Sequence, residues 1–61
     1  MKISLRAARV NVDLTQQEVA DKLGVSKYTI INWENGVTKP KKHILIALSS
    51  IYGIDIDSLK G

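Results

Sequence analysis

The side chains best suited to chemistry in this 61-residue chain are hydrogen-bonding and basic ones. Cysteine is absent and His43 is the single histidine, which excludes disulfides, thiolate metal sites and a cysteine nucleophile. Ser49, Ser50 and Ser58 stand at no spacing from His43 that would make a nucleophile and its base, and Asp55 and Asp57 read as a helix start rather than an acid–base pair. No enzyme, cofactor or metal is expected. What remains suits the reading and gripping of a polyanion. Lys27 can donate to guanine O6 and N7, and Asn32 can pair with adenine N6 and N7. Tyr28 offers its ring to a thymine methyl or its hydroxyl to a phosphate. Ile31, on the same outward side, would be explained by burial against a thymine methyl or sugar; a stray surface apolar residue is the competing reading. Lys39, Lys41 and Lys42, with His43, form the densest basic cluster and could neutralise a few phosphates. Gln16 and Gln17 open a helix, where backbone N–H groups and amide side chains can hold a phosphate.

Such residues need rigid elements to position them, and the pattern is helical throughout. Strand-like alternation is confined to Ile54–Asp57. A first helix is expected over about Lys2–Asn11, with Leu5, Ala8 and Val12 on one stripe and Arg6 and Arg9 on either side of it. Asn11-Val12-Asp13 ends it, since Asn and Asp tolerate the left-handed conformation. The second helix opens on Thr15 and Glu18, a capping box, with Leu14 and Val19 as a hydrophobic staple. It runs from Gln16 to about Leu23 and stops at Gly24. Ser26 caps a third helix, with Val25 and Ile30 as its staple, which continues through Trp33 and Glu34 to the turn dipeptide Asn35-Gly36. Pro40 is expected in the first turn of a fourth helix, Lys41–Tyr52, which carries Ile44, Leu45, Leu48 and Ile51 and ends at Gly53. Asp55 then caps a last helix, Ile56–Leu59. The expectation is an all-α bundle of five short helices.

Residues 15–34 are the centre of this arrangement. Val19, Leu23, Val25, Ile30 and Trp33 face inward, so two amphipathic helices share one apolar wedge. Trp33 therefore reads as core and not as a stacking platform. Ala20 falls where the helices approach most closely. Gly24 falls where the turn requires a positive φ. Lys27, Tyr28, Ile31 and Asn32 face away from the wedge, and the N-terminal half of a second helix so placed is the part that meets base edges.

Length allows a single domain over 1–61 with a marginal core. Nine basic and six acidic residues give a net charge of +3, a sign that suits a polyanionic partner at modest strength. No apolar run approaches the ~20 residues that span a bilayer. The first ten residues lack a signal-peptide core, so a cytoplasmic location is expected.

The segment Leu14–Gly36 carries the pattern L-T-Q-x-E-x-A-x-x-x-G-V-S-x-x-x-I-x-x-W-E-x-G, and Gly53-Ile54-Asp55-Ile56-Asp57-Ser58-Leu59 stands near the end of the chain. In both it resembles the lambda-repressor-like, Cro/CI-type (XRE) family of phage and bacterial regulators, over nearly its whole length. The resemblance implies a lambda repressor-like DNA-binding domain of five helices. It also implies a sequence-specific transcriptional regulator, expected to be a repressor, that acts as a homodimer on two-fold symmetric double-stranded DNA. By position, Lys27, Tyr28 and Asn32 are the base readers, with Ser26 and Ile31 flanking them. Gln16 and Ser26 are phosphate contacts and Lys39, Lys41 and Lys42 are backbone contacts. The resemblance also pairs Arg9 with Glu34, an ion pair we read as structural. Many phage relatives have glutamine where Lys27 and Tyr28 stand, so the operator sequence does not transfer.

A second function fits the same residues: a protein-interaction module of this fold, antitoxin- or antirepressor-like, anchored by Tyr28 and Ile31. The surface after Tyr52, with Ile54, Ile56 and Leu59, is the candidate dimer patch, unless those side chains close the core.

Overall fold

Local sequence signals start and stop each helix. In a computed structural model, which describes residues 2–60, α1 spans Leu5–Asn11, α2 Gln16–Leu23, α3 Lys27–Glu34 and α4 Lys42–Tyr52. Ser4 Oγ accepts the Ala7 N–H at 3.1 Å, Thr15 Oγ1 the Glu18 N–H at 3.0 Å, and Ser26 Oγ the Thr29 N–H at 3.3 Å. Each hydroxyl so satisfies one of the donors a helix start leaves free. Glu18 Oε1 accepts the Thr15 N–H at 2.9 Å, completing the capping box. That backbone bond, and next the Thr15 hydroxyl, hold the Glu18 carboxyl below its ordinary range.

All four helices close in the same way. A residue in the left-handed region follows each one: Asp13 (φ 58°), Gly24 (71°), Gly36 (75°) and Gly53 (65°). The next residue's N–H then reaches back five positions: Leu14 to Arg9 O, Val25 to Ala20 O, Val37 to Asn32 O and Ile54 to Ser49 O, at 2.9–3.3 Å. This is the Schellman closure, normally accompanied by an apolar contact from that residue. Leu14, Val25 and Ile54 make it by packing against the core. Val37 does not, and is 69% exposed. At Gly24 a Cβ would meet nothing within 4 Å, so glycine is required there by backbone conformation and not by space.

Among the described residues the expected bundle of five helices is corrected to four α-helices, a single 3₁₀ turn at Ile56–Ser58 and a parallel pair of two-residue strands, β1 (Ile3–Ser4) and β2 (Leu59–Lys60). Ile3 pairs with Leu59 and Ser4 with Lys60. The first helix therefore begins at Leu5, because Ser4 is its cap and Ile3 is taken by the ribbon. At the other end Asp55 makes no side-chain cap bond. A turn this short gains little internal bonding, and Leu59 enters β2 instead. Pro40 is buried one residue before the fourth helix's N-cap, Lys41, and lies outside that helix's first turn. Val12 is 38% exposed, since α1 has ended and Val12 has left its register.

The core draws Leu5 and Ala8 from α1, Val19 and Ala20 from α2, Ile30 from α3, Leu48 and Tyr52 from α4 and Leu59 from β2. Leu23, Val25 and Trp33 pack against it half-buried, completing the expected wedge. Ala20 is fully buried, with α2 packed on α3. No helix among the described residues is long and apolar enough to cross a membrane.

Candidate nucleic-acid interface

The helix α3 separates its residues by face. Ile30 anchors it in the core at 2% exposure, while Lys27 and Tyr28 stand in solvent, Tyr28 at 77%. Ile31 and Asn32 are half-buried, so they sit at the edge of this face and not at its crest. Among the described residues the Asn32 amide makes no hydrogen bond, whereas its backbone carbonyl accepts from Val37 and Thr38. A tyrosine ring, an ammonium and an unpaired amide thus share one side of a short helix whose other side is fixed.

Three of the expected phosphate contacts have side chains already engaged. Ser26 Oγ caps α3 and lies 3.1 Å from Thr29 Oγ1. Gln17 Nε2 donates to Asp21 Oδ1 at 2.9 Å, and Gln16 Nε2 to Glu34 Oε1 at 3.1 Å. What they still offer an anion is the backbone N–H groups of the α2 and α3 amino ends, with the second amide hydrogen of each glutamine. Lys39, Lys41, Lys42 and His43 are all exposed. Lys41 caps α4 with no side-chain bond, unlike Ser4, Thr15 and Ser26 on the other three helices, and α4 has no acidic residue in its first turn. No group of three His, Asp or Glu side chains among the described residues is placed to hold a metal.

Behind this face lies a polar junction that fixes α3 in place. The Glu34 side chain is 1% exposed. Arg9 Nε donates to Glu34 Oε2 at 2.6 Å and Arg9 Nη2 to Oε1 at 3.2 Å, while Arg9 Nη1 donates to Leu14 O at 2.8 Å. The pair expected from the resemblance is therefore present, with Gln16 as a third arm. Burial pushes the Glu34 carboxyl up, but hydrogen bonds from Arg9 and Gln16, the Arg9 charge and the Arg6 contact bring it below the usual range. The Glu34 hydrogen bond holds the Arg9 guanidinium above its ordinary value, against burial. Tyr52, at 5% exposure, is pushed up to about 12 by burial and next by the Glu34 charge, with Arg9 opposing.

Two participants escaped the sequence reading. Arg6 was expected on the opposite side of the stripe from Arg9; instead both reach Glu34, Arg6 Nε at 3.5 Å. Their i, i+3 spacing, which places side chains on one helix face, was the available signal. Tyr52 lay off the expected α4 stripe yet is buried. Of the candidate dimer patch, Leu59 (4% exposed) and Ile54 are used by the core, leaving Ile56 half-exposed.

Two capped helices crossing at a left-handed glycine, with the outer face of the second free, are the architecture of helix-turn-helix proteins. The chain belongs to the helix-turn-helix family, whose profile matches residues 5–59, and within it is of the lambda-repressor-like Cro/CI type. It is 40% identical over 55 residues to the cryptic phage CTXphi transcriptional repressor RstR of Vibrio cholerae, covering 90% of this chain and 50% of that protein. It is 36% identical over 59 residues to an uncharacterised HTH-type transcriptional regulator of Methanocaldococcus jannaschii, covering 97% and 89%. It is 33% identical over 57 residues to the HTH-type transcriptional regulator ImmR of Bacillus subtilis, covering 93% and 45%. The chain therefore spans about half the length of RstR and ImmR. No solved structure matches it.

Proposed function

We propose that this chain is a sequence-specific DNA-binding transcriptional regulator that lays α3 in the major groove and acts as a repressor. The observation that carries the proposal is the exposed Lys27–Tyr28 pair with the unpaired Asn32 amide on the free face of a helix anchored by Ile30 and Glu34. Lys27, Tyr28, Ile31 and Asn32 read base edges. Gln16, Gln17 and Ser26 meet phosphates through their backbone N–H groups. Lys39, Lys41 and Lys42 grip the backbone beside the groove. Cations at a helix amino end are disfavoured by the helix dipole. A phosphate seated there would use both the ammonium groups and the free N–H groups of α4. Repression is favoured by the likeness to RstR, a phage transcriptional repressor. A homodimer would place two α3 helices about one DNA turn, ~34 Å, apart on a two-fold operator.

Selection from genomic fragments followed by anisotropy titration tests the reading. The selected duplex should bind at least ~10³-fold more tightly than random duplex. Lys42→Ala should weaken both about equally and reduce the salt slope by about 0.9. Equal affinity for selected and random duplex overturns the reading. A protein partner that competes for Tyr28 would then become the better explanation of its exposure.

A further inference from the structure

We propose that Arg6 is a positioning residue that tethers the exit of α3 and thereby aims the lysines that follow it. The consequence for DNA rests on the function proposed above; the tether itself is a property of the free protein. Arg6 reaches from α1 to α3 with two donors. Its Nη2 donates to Asn35 Oδ1 at 2.8 Å, and its Nε lies 3.5 Å from Glu34 Oε1. Glu34 already has shorter bonds from Arg9 and Gln16. The distinct contribution of Arg6 is therefore its hold on Asn35.

Asn35 caps α3, and its backbone N–H bonds Ile31 O at 2.9 Å. Gly36 then turns left-handed, and the N–H groups of Val37 and Thr38 both close on Asn32 O, at 2.9 and 3.4 Å. At the ends of α1, α2 and α4 the corresponding turn is also pinned by an apolar side chain packed on the core. Here that side chain is Val37, which lies in solvent. The Arg6–Asn35 bond supplies the side-chain anchor this turn lacks. It fixes the direction in which the chain leaves towards Lys39, Lys41 and Lys42. Because Arg6 shares a face of α1 with Arg9, one helix holds both the last residue of α3 and the turn after it.

Arg6→Gln, Asn35→Ala and the double variant test this, after thermal melting confirms that each is folded. Amide hydrogen exchange by NMR on the free protein should show Val37 and Thr38 exchanging about three- to tenfold faster in every variant, as for loss of one exposed hydrogen bond, with Val19 unchanged. Unaltered exchange at Val37 and Thr38 overturns the tether. Against a selected duplex, each single variant should bind about two- to tenfold more weakly, and the double variant no more weakly than the weaker single one. Losses that multiply in the double variant would mean that Arg6 and Asn35 touch DNA independently, and would overturn the positioning role. A wild-type protein that binds no duplex preferentially would remove the DNA reading and the aiming role with it, while the exchange result still decides the tether.

Discussion

Glu34 accepts hydrogen bonds from Arg6 and Arg9 on α1 and Gln16 on α2, and it is itself the last residue of α3. Removing its charge leaves Arg9, only 13% exposed in its side chain, without a counter-ion. Breaking such a pair from one side is costly even where the intact pair adds little net stability. Glu34→Gln should lower unfolding free energy by about 2–3 kcal/mol, read from urea melts at neutral pH. The sign of the pH dependence follows from the direction of the shift. The folded carboxyl is held below its ordinary value, so the unfolded chain binds the proton more readily in the window between the two. The contribution is complete above the ordinary value near ~4.3 and is lost as pH falls through the lower folded one. In Glu34→Gln that part of the acid limb should be missing. Asp13 offers the opposite kind of test. It is the only non-glycine with positive φ among the described residues. Asp13→Gly should therefore raise stability by up to about 1 kcal/mol, seen as a higher melting temperature.

At the scale of elements, α2 and α3 meet over a small side chain. Ala20 is fully buried, and Ala20→Val should cost about 1–3 kcal/mol by forcing the two helices apart. A drop in the urea midpoint without change in slope would register it. The same pair shows what the sequence made legible. Thr15, Glu18, Ser26, Gly24 and Gly53 act within a few residues of themselves, so their caps and closures could be read from local spacing, and α2 and α3 lie where that spacing put them. The ribbon could not be read this way. Ile3–Ser4 and Leu59–Lys60 are two residues each, and their pairing depends on chain ends brought together by everything between them. A pattern suited to a last helix turn was therefore overridden by tertiary contact at Leu59. The Arg6–Asn35 bond spans 29 residues and was hidden for the same reason. In the candidate interface, the outward side of Lys27 and Tyr28 followed from periodicity. The prior engagement of the Gln16 amide with Glu34, 18 residues away, did not, since such distant partners are set by three-dimensional approach.

The whole molecule then reads as a support for one surface. Its core uses Leu59 and Ile54, so an interface between two copies would have to draw on what remains exposed, Ile56 in part among it. Such a dimer would be weak without DNA; sedimentation velocity should show mostly monomer at micromolar concentration and a two-to-one complex on adding a two-fold duplex. The central claim is that the free face of α3 reads bases, and the specificity ratio of Asn32→Ala tests it most directly. Affinity for the selected duplex divided by affinity for random duplex should fall by about 1–3 kcal/mol equivalent, while random-duplex affinity and its salt slope stay at wild-type values. A ratio unchanged in Asn32→Ala, with Lys27→Ala and Tyr28→Ala equally silent, would contradict it.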